Sequence, residues 1–147
     1  MVAGRPLVLG GVTIPHSKGL DGHSDADALM HAICDAVLGA LGESDIGEFF
    51  PNTDPRWKGA PSRIFLEEAA HQVRLRHGRI INVDATIIAQ QPKLRPHAAA
   101  MQENIAFALG LTPAKVGIKA TTNEHLGFIG REEGIAAMAV ASVDLPD

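Results

Sequence analysis

Residues 23–42 read HSDADALMHAICDAVLGALG. Leu29, Ile33, Val37 and Leu41 recur every four residues, and Cys34, Leu38 and several alanines widen the same stripe. That spacing lays a broad apolar face along one side of a helix, so a largely buried helix is predicted over 25–41. Ser24 is the expected N-cap, with Asp27 three residues on in a pattern close to a capping box. Gly42 is the expected stop.

The flanking segments build a fold around this helix. LVLGGVTI at 7–14 is β-rich and broken by Gly10-Gly11, which predicts a bulged strand or a tight hairpin. A polar loop is expected from His16 to Gly22. Residues 43–61, with three Pro and two Gly, read as a long loop carrying an exposed Trp57, and loops of that length are functional or mobile. A second helix is predicted from Ser62 to His77, with Leu66, Ala69, Ala70 and Val73 inward and Gly78 as its stop. Residues 80–89 alternate with period two, a strand. Gln90 to Lys93 is a turn, and Pro96 opens a third helix that ends at Gly110. Residues 115–121 and 134–143 are the last strands. The order predicts an α+β fold in two layers, a mixed sheet of the four-stranded type with helices on one face.

The 147 residues suit one domain. An apolar fraction of 46% and a charged fraction of 20% exclude general disorder. With five Phe, one Trp and no Tyr, the core must be aliphatic. A net charge of −4 argues against a nucleic-acid protein working through a basic face. Cys34 is the only cysteine, so no internal disulfide forms. No apolar run approaches the ~18 residues that span a bilayer. Gly4, Arg5, Pro6 and Gly10-Gly11 interrupt any leader-like stretch in residues 1–15, and a cytoplasmic location is expected.

The densest polar cluster is His23 to Asp27, followed by His31. Asp27, His31 and Asp35 fall on one helical face, an arrangement that suits an imidazole metal ligand held by a neighbouring carboxylate. The same residues also read as an N-cap with an acidic first turn, and His31 as a satisfied core histidine. Thr121-Thr122-Asn123-Glu124 precedes a glycine-rich stretch with Arg131. Hydroxyls and N–H groups after a strand suit phosphate oxygens, and Glu124 suits a hard cation, though an ordinary connection has the same composition. Ala89 to Leu94 follows a strand end, where freed backbone groups can read a base edge or simply turn.

Five segments in order resemble the 2-C-methyl-D-erythritol 2,4-cyclodiphosphate synthase family: RPLVLGGVTIP (5–15), KGLDGHSDADALMHAICDAVLGA (18–40), SDIGEFFPNTDPRWKGAPS (44–62), NVDATIIAQQPKLRPH (82–97) and KATTNEHLGFIGREEGIAA (119–137). The resemblance implies cyclisation of 4-diphosphocytidyl-2-C-methyl-D-erythritol 2-phosphate with release of CMP, by a homotrimer whose active sites lie between subunits. It implies no nucleic-acid or membrane partner. It makes His31 a zinc ligand, His23 and Ser24 contacts to substrate phosphate, and His23 and Thr122 the candidate catalytic residues. Asp45, Ile46 and Gly47 correspond to residues that hold the methylerythritol part. Phe50, Pro51, Asn52, Thr53 and Asp54, with the loop on to Ser62, correspond to a mobile lid. Ala89, Gln90, Gln91, Pro92, Lys93, Leu94 and Arg95 correspond to the cytosine segment. Thr121, Thr122 and Asn123 fall among the phosphate contacts, Glu124 corresponds to the ligand of a magnesium- or manganese-type ion, and Phe128 and Arg131 lie close to the nucleotide.

The head of the chain departs from the family, whose first strand carries Asp-x-His and so two further zinc ligands. Residues 1–147 are therefore read as a single domain of this type lacking that strand, whether the start is placed downstream of it, a separate upstream segment or partner completes the site, or zinc-dependent chemistry has been lost. A site with His31 alone is expected to hold little or no zinc. Asn52 and Asn123 replace residue types frequent in the family without removing a ligand. The alternative expectation is a trimeric module that binds a cytidine nucleotide or isoprenoid phosphate without turnover.

Overall fold

A computed structural model describes all 147 residues. Its strands are β1 (Val2–Ala3), β2 (Leu7–Leu9), β3 (Val12–Ile14), β4 (Lys18–Gly19), β5 (Arg79–Ile88), β6 (Val116–Thr121) and β7 (Ala136–Asp144). The helices are α1 (Ala28–Ala40), α2 (Ile46–Phe49), α3 (Arg63–Leu75), α4 (Ala98–Leu109) and α5 (Gly127–Gly130). Short 3₁₀ turns lie at Pro55–Trp57, Arg95–His97 and Pro113–Lys115.

The main sheet has three strands in the order β6-β5-β7, not four. β5 runs parallel to β6, with α4 making the crossover, and antiparallel to β7. The remaining strand pairs, β2–β3 and β1–β4, form separate two-stranded ribbons. They are too short and too sharply turned to join the sheet. The β2–β3 hairpin turns at Gly10 and Gly11, whose φ values of 58° and 71° are left-handed. β4 lies inside the stretch expected to be loop, and α2 and the turn at Pro55–Trp57 lie inside the other.

α1 packs on β5 and β7, α4 on β6, and α3 against both helices. Val83, Ala85 and Ile87 of β5 join α1's Leu29, Ile33, Val37 and Leu38 in one core of 26 buried residues. Asn82 and Asp84 on the other face of β5 are exposed. α3 ends as expected with Gly78 N–H on the Val73 carbonyl, although His77 rather than the glycine takes the left-handed φ, 58°. Gly110, φ 71°, ends α4. No helix is long and apolar enough to cross a membrane.

Candidate active site

The helix head differs from the sequence expectation. α1 begins at Ala28 and its N-cap is Asp27, because Ala26 turns left-handed at φ 58° and breaks the helix before it. Ser24 instead accepts the Ala26 N–H at 3.2 Å. Asp27 is fully buried, and its carboxylate accepts the N–H groups of Met30 (3.0 Å), Gly10 (2.9 Å) and Gly11 (2.7 Å). One side chain thus caps α1 and clamps the β2–β3 turn onto it. Burial pushes its pKa up to about 6, against the pull of those three donors.

Asp27 therefore does not support His31. That role falls to Asp25 and Ser62, which sequence reasoning did not single out. Ser62, fully buried at the head of α3, gives its N–H to Asp25 at 2.9 Å and its hydroxyl proton to the same carboxylate. With that proton committed, Ser62 Oγ is left to accept from His31 Nε2 at 2.8 Å, an arrangement that favours the tautomer protonated at Nε2. Ser24 Oγ lies 3.3 Å from the same nitrogen. Burial lowers the His31 pKa, and the charges of Asp25 and Asp35 oppose the shift. Asp35 also accepts the Ile46 N–H at 2.9 Å and so positions α2. The Asp25–Ser62 contact spans 37 residues, and no local pattern announces it.

Around this chain of hydrogen bonds lies a cavity of about 430 Å³. His23, Ser24, His31, Ile46, Gly47, Phe50 and Asn52 of the predicted site line it. Asp45, Pro51, Thr53 and Asp54 do not. Asp45 caps α2 through the Gly47 N–H at 2.9 Å, and Asp54 is held by Arg56 at 2.6 Å. The 52–62 loop is tied to His23: His23 Nε2 meets the Asp54 carbonyl at 2.9 Å, and Gly59 N–H donates to the His23 carbonyl at 2.8 Å. Trp57 is half-buried rather than exposed, its ring 4.9 Å from Phe50, which lies 4.6 Å from Phe65. This aromatic triad anchors a loop that looked unanchored. Arg5 steadies the floor by donating to the carbonyls of Gly22 (2.9 Å) and Ser24 (2.7 Å).

Among several other cavities, a small one of about 150 Å³ opens where β5 and β6 end, lined by Ala89, Pro92 to Arg95 and Ala120 to Thr122. Gln91, Asn123, Glu124, Phe128 and Arg131 lie outside its lining. Gln90 is buried, with its carboxamide turned onto His125. Glu124 is exposed, and Arg131 pairs with Glu133 at 2.9 Å. The two cavities share no residue.

Nowhere do three His, Cys, Asp or Glu side chains converge in a way that could hold a metal ion. Asp21-Gly22-His23 has the Asp-x-His spelling, but Asp21 faces Arg5 at 3.4 Å and His23 faces the lid backbone. The residues of this chain do not make a three-ligand zinc site around His31.

The YgbB family model matches residues 1–144. The 2-C-methyl-D-erythritol 2,4-cyclodiphosphate synthase of Dechloromonas aromatica is 60% identical over 144 residues, covering 98% of this chain and 90% of that protein. The structure of the bifunctional IspDF of Campylobacter jejuni superposes with a TM-score of 0.92 at 45% identity, over 99% of this chain and 39% of the larger one. A solved 2-C-methyl-D-erythritol 2,4-cyclodiphosphate synthase in its CDP-bound form gives a TM-score of 0.87 at 39% identity, over 97% of this chain and 92% of that one.

Proposed function

The chain belongs to the YgbB family, and we propose that it converts 4-diphosphocytidyl-2-C-methyl-D-erythritol 2-phosphate to the 2,4-cyclodiphosphate and CMP. An oxygen of the substrate's 2-phosphate bonds to its β-phosphorus. The bond from that phosphorus to the oxygen bridging to the α-phosphorus breaks, and the electron pair leaves on CMP. No group is oxidised or reduced, so catalysis is positioning and charge stabilisation.

The observation that carries this reading is the pair of separate cavities, each holding a different part of the predicted site. The cavity at the α1 head takes the methylerythritol phosphate, with His23 and Ser24 at the phosphate and the Phe50–Trp57 lid excluding water, which competes with the internal nucleophile. The strand-end cavity takes cytosine against Ala89 to Arg95 and the diphosphate against Thr121 and Thr122, Thr122 acting with His23 at the reacting phosphates. In line with the family resemblance, residues 1–147 act as one domain in a homotrimer, each site shared by two copies. Met138 and Val140, apolar yet 61% and 70% exposed on β7, support an assembly through the outer sheet face. Glu124 would be the protein carboxylate of a magnesium-type ion that neutralises phosphate charge, the substrate supplying the other oxygens.

The test is to incubate the chain with substrate, Mg²⁺ and Zn²⁺ and to measure CMP and the cyclic product. Equal amounts of both are expected. Tight CDP binding with no CMP release would favour the nucleotide-binding module instead.

A further inference from the structure

Gln90 lies at the end of β5, in the segment expected to meet cytosine, yet its side chain does not line the cavity there. It is 6% exposed. Its Oε1 accepts the His125 N–H at 3.0 Å, and its Nε2 lies 3.4 Å from His125 Nε2. Both ends of the carboxamide thus face one residue 35 positions away.

The turn it holds is an unfavourable one. Glu124 and His125 are consecutive non-glycine residues in the left-handed region, with φ of 50° and 60°. Side chains there crowd the backbone, so the turn needs support beyond its own preference. Beside the turn's own hydrogen bond, from the Leu126 N–H to the Asn123 carbonyl at 2.9 Å, three contacts supply it. Asn123 Nδ2 bonds the Leu126 carbonyl at 2.7 Å. Gly130 packs so closely that a Cβ there would lie 2.2 Å from the His125 carbonyl carbon. The third is Gln90, which alone of these comes from outside the segment. β5 and β6 are already joined at this end, since Ala89 N–H donates to the Thr121 carbonyl at 3.0 Å. The side chain of Gln90 extends that join from the strand to the turn.

We propose that Gln90 is a positioning residue whose buried carboxamide, by accepting the His125 N–H, holds the Thr121–His125 turn in the shape that receives the nucleotide's diphosphate. The proposal rests on the reading of that turn as the diphosphate site. It separates Gln90 from its neighbours: Ala89 and Pro92 to Arg95 face cytosine, whereas Gln90 works from behind, on the phosphate side.

Two variants test it. Gln90→Met keeps the length and loses the acceptor. Gln90→Asn stays polar but withdraws its oxygen by about 1.5 Å, one bond length, and secures the test should the first variant not fold. Affinities for CDP and cytidine are measured by titration, and exchange of the His125 amide by NMR. The expected result is faster exchange at His125, CDP affinity reduced about tenfold, and cytidine affinity unchanged. Equal losses for cytidine and CDP would make Gln90 a base contact and overturn the proposal. Unchanged CDP affinity, or unchanged exchange, would overturn it as well. If the unsubstituted protein binds no CDP, the diphosphate site itself is wrong, a failure seen before any variant is made.

Discussion

The α1 head and the strand-end turn solve the same problem with opposite means. Under the proposed function each presents backbone N–H groups and hydroxyls to an anionic substrate in a fixed shape. The α1 head is clamped by ionisable side chains: Asp27 binds three N–H groups from two elements, and Asp25 binds Ser62, which binds His31. The strand-end turn is clamped by a neutral amide and by close backbone packing, through Gln90 and Gly130. At the strand-end turn the one carboxylate, Glu124, is exposed and takes no part in the clamp, whereas at the α1 head the carboxylates of Asp25 and Asp27 are the clamp, spent on N–H and hydroxyl donors.

Asp27 carries the first and largest test of this contrast. Asp27→Ala strands the N–H groups of Gly10, Gly11 and Met30 and removes the cap of α1. A loss of about 3 kcal/mol is expected in urea denaturation, since a lost cap and each unsatisfied buried group cost about 1 kcal/mol or more. A loss below 1 kcal/mol would mean that the hairpin and helix hold together by apolar packing alone.

The strand-end turn should break through its backbone instead. Gly130→Ala places a methyl group 2.2 Å from the His125 carbonyl carbon, so the turn or α5 must move. About 1–3 kcal/mol of stability should go, as in other overpacked sites. CDP affinity should fall with it, while the cavity at the α1 head is undisturbed. If CDP binds the variant as before, the turn does not hold the diphosphate.

Much of this contrast was hidden in the sequence for physical reasons. The buried face of α1 was legible because a four-residue spacing is a local property. So was the β2–β3 hairpin, because two adjacent glycines mark a turn. Ser24 was misread as the cap because a serine before an apolar run looks the same whether or not the next residues are helical. Only the left-handed turn at Ala26 moves the start to Asp27. A three-stranded sheet was taken for a four-stranded one because β2 and β3 pair with each other, a choice that their composition does not encode. His23, Ser24 and His31 were found by motif, but Asp25 and Gln90 work through contacts 37 and 35 residues away. Residue type revealed that these groups are polar and not which way they face.

Asp25→Asn probes the second carboxylate of the α1 head at a smaller scale. The amide keeps the shape but returns neutral hydrogen bonds for charged ones, a difference of about 1–2 kcal/mol. It also relaxes the demand on the Ser62 proton, so His31 should lose its favoured tautomer. Ring nitrogen shifts in NMR would read this directly. An unchanged tautomer would show that Ser24 and the surrounding packing orient His31 without Asp25.

The remaining test is a pH dependence that Asp27 gives to the α1 head. Burial holds Asp27 near a pKa of about 6, above its ordinary 3.8. Between those values the folded protein keeps a proton that the unfolded chain has released. The contribution to stability is therefore complete below about pH 3.8 and is lost as pH rises through about 6. His31 works in the other sense. Its pKa is lowered from 6.5, so its contribution is present above that pH and is lost on acidification. Comparing the unsubstituted protein with Asp27→Asn cancels the His31 part, because both chains carry it. The stability difference should shift in favour of the unsubstituted protein as pH falls from 6 to 4, read by urea denaturation at each pH. A flat difference would mean that the three N–H donors keep the carboxylate ionised despite burial. Asp27 would then respond to pH in this range no more than a clamp built, like Gln90, from an amide that never titrates.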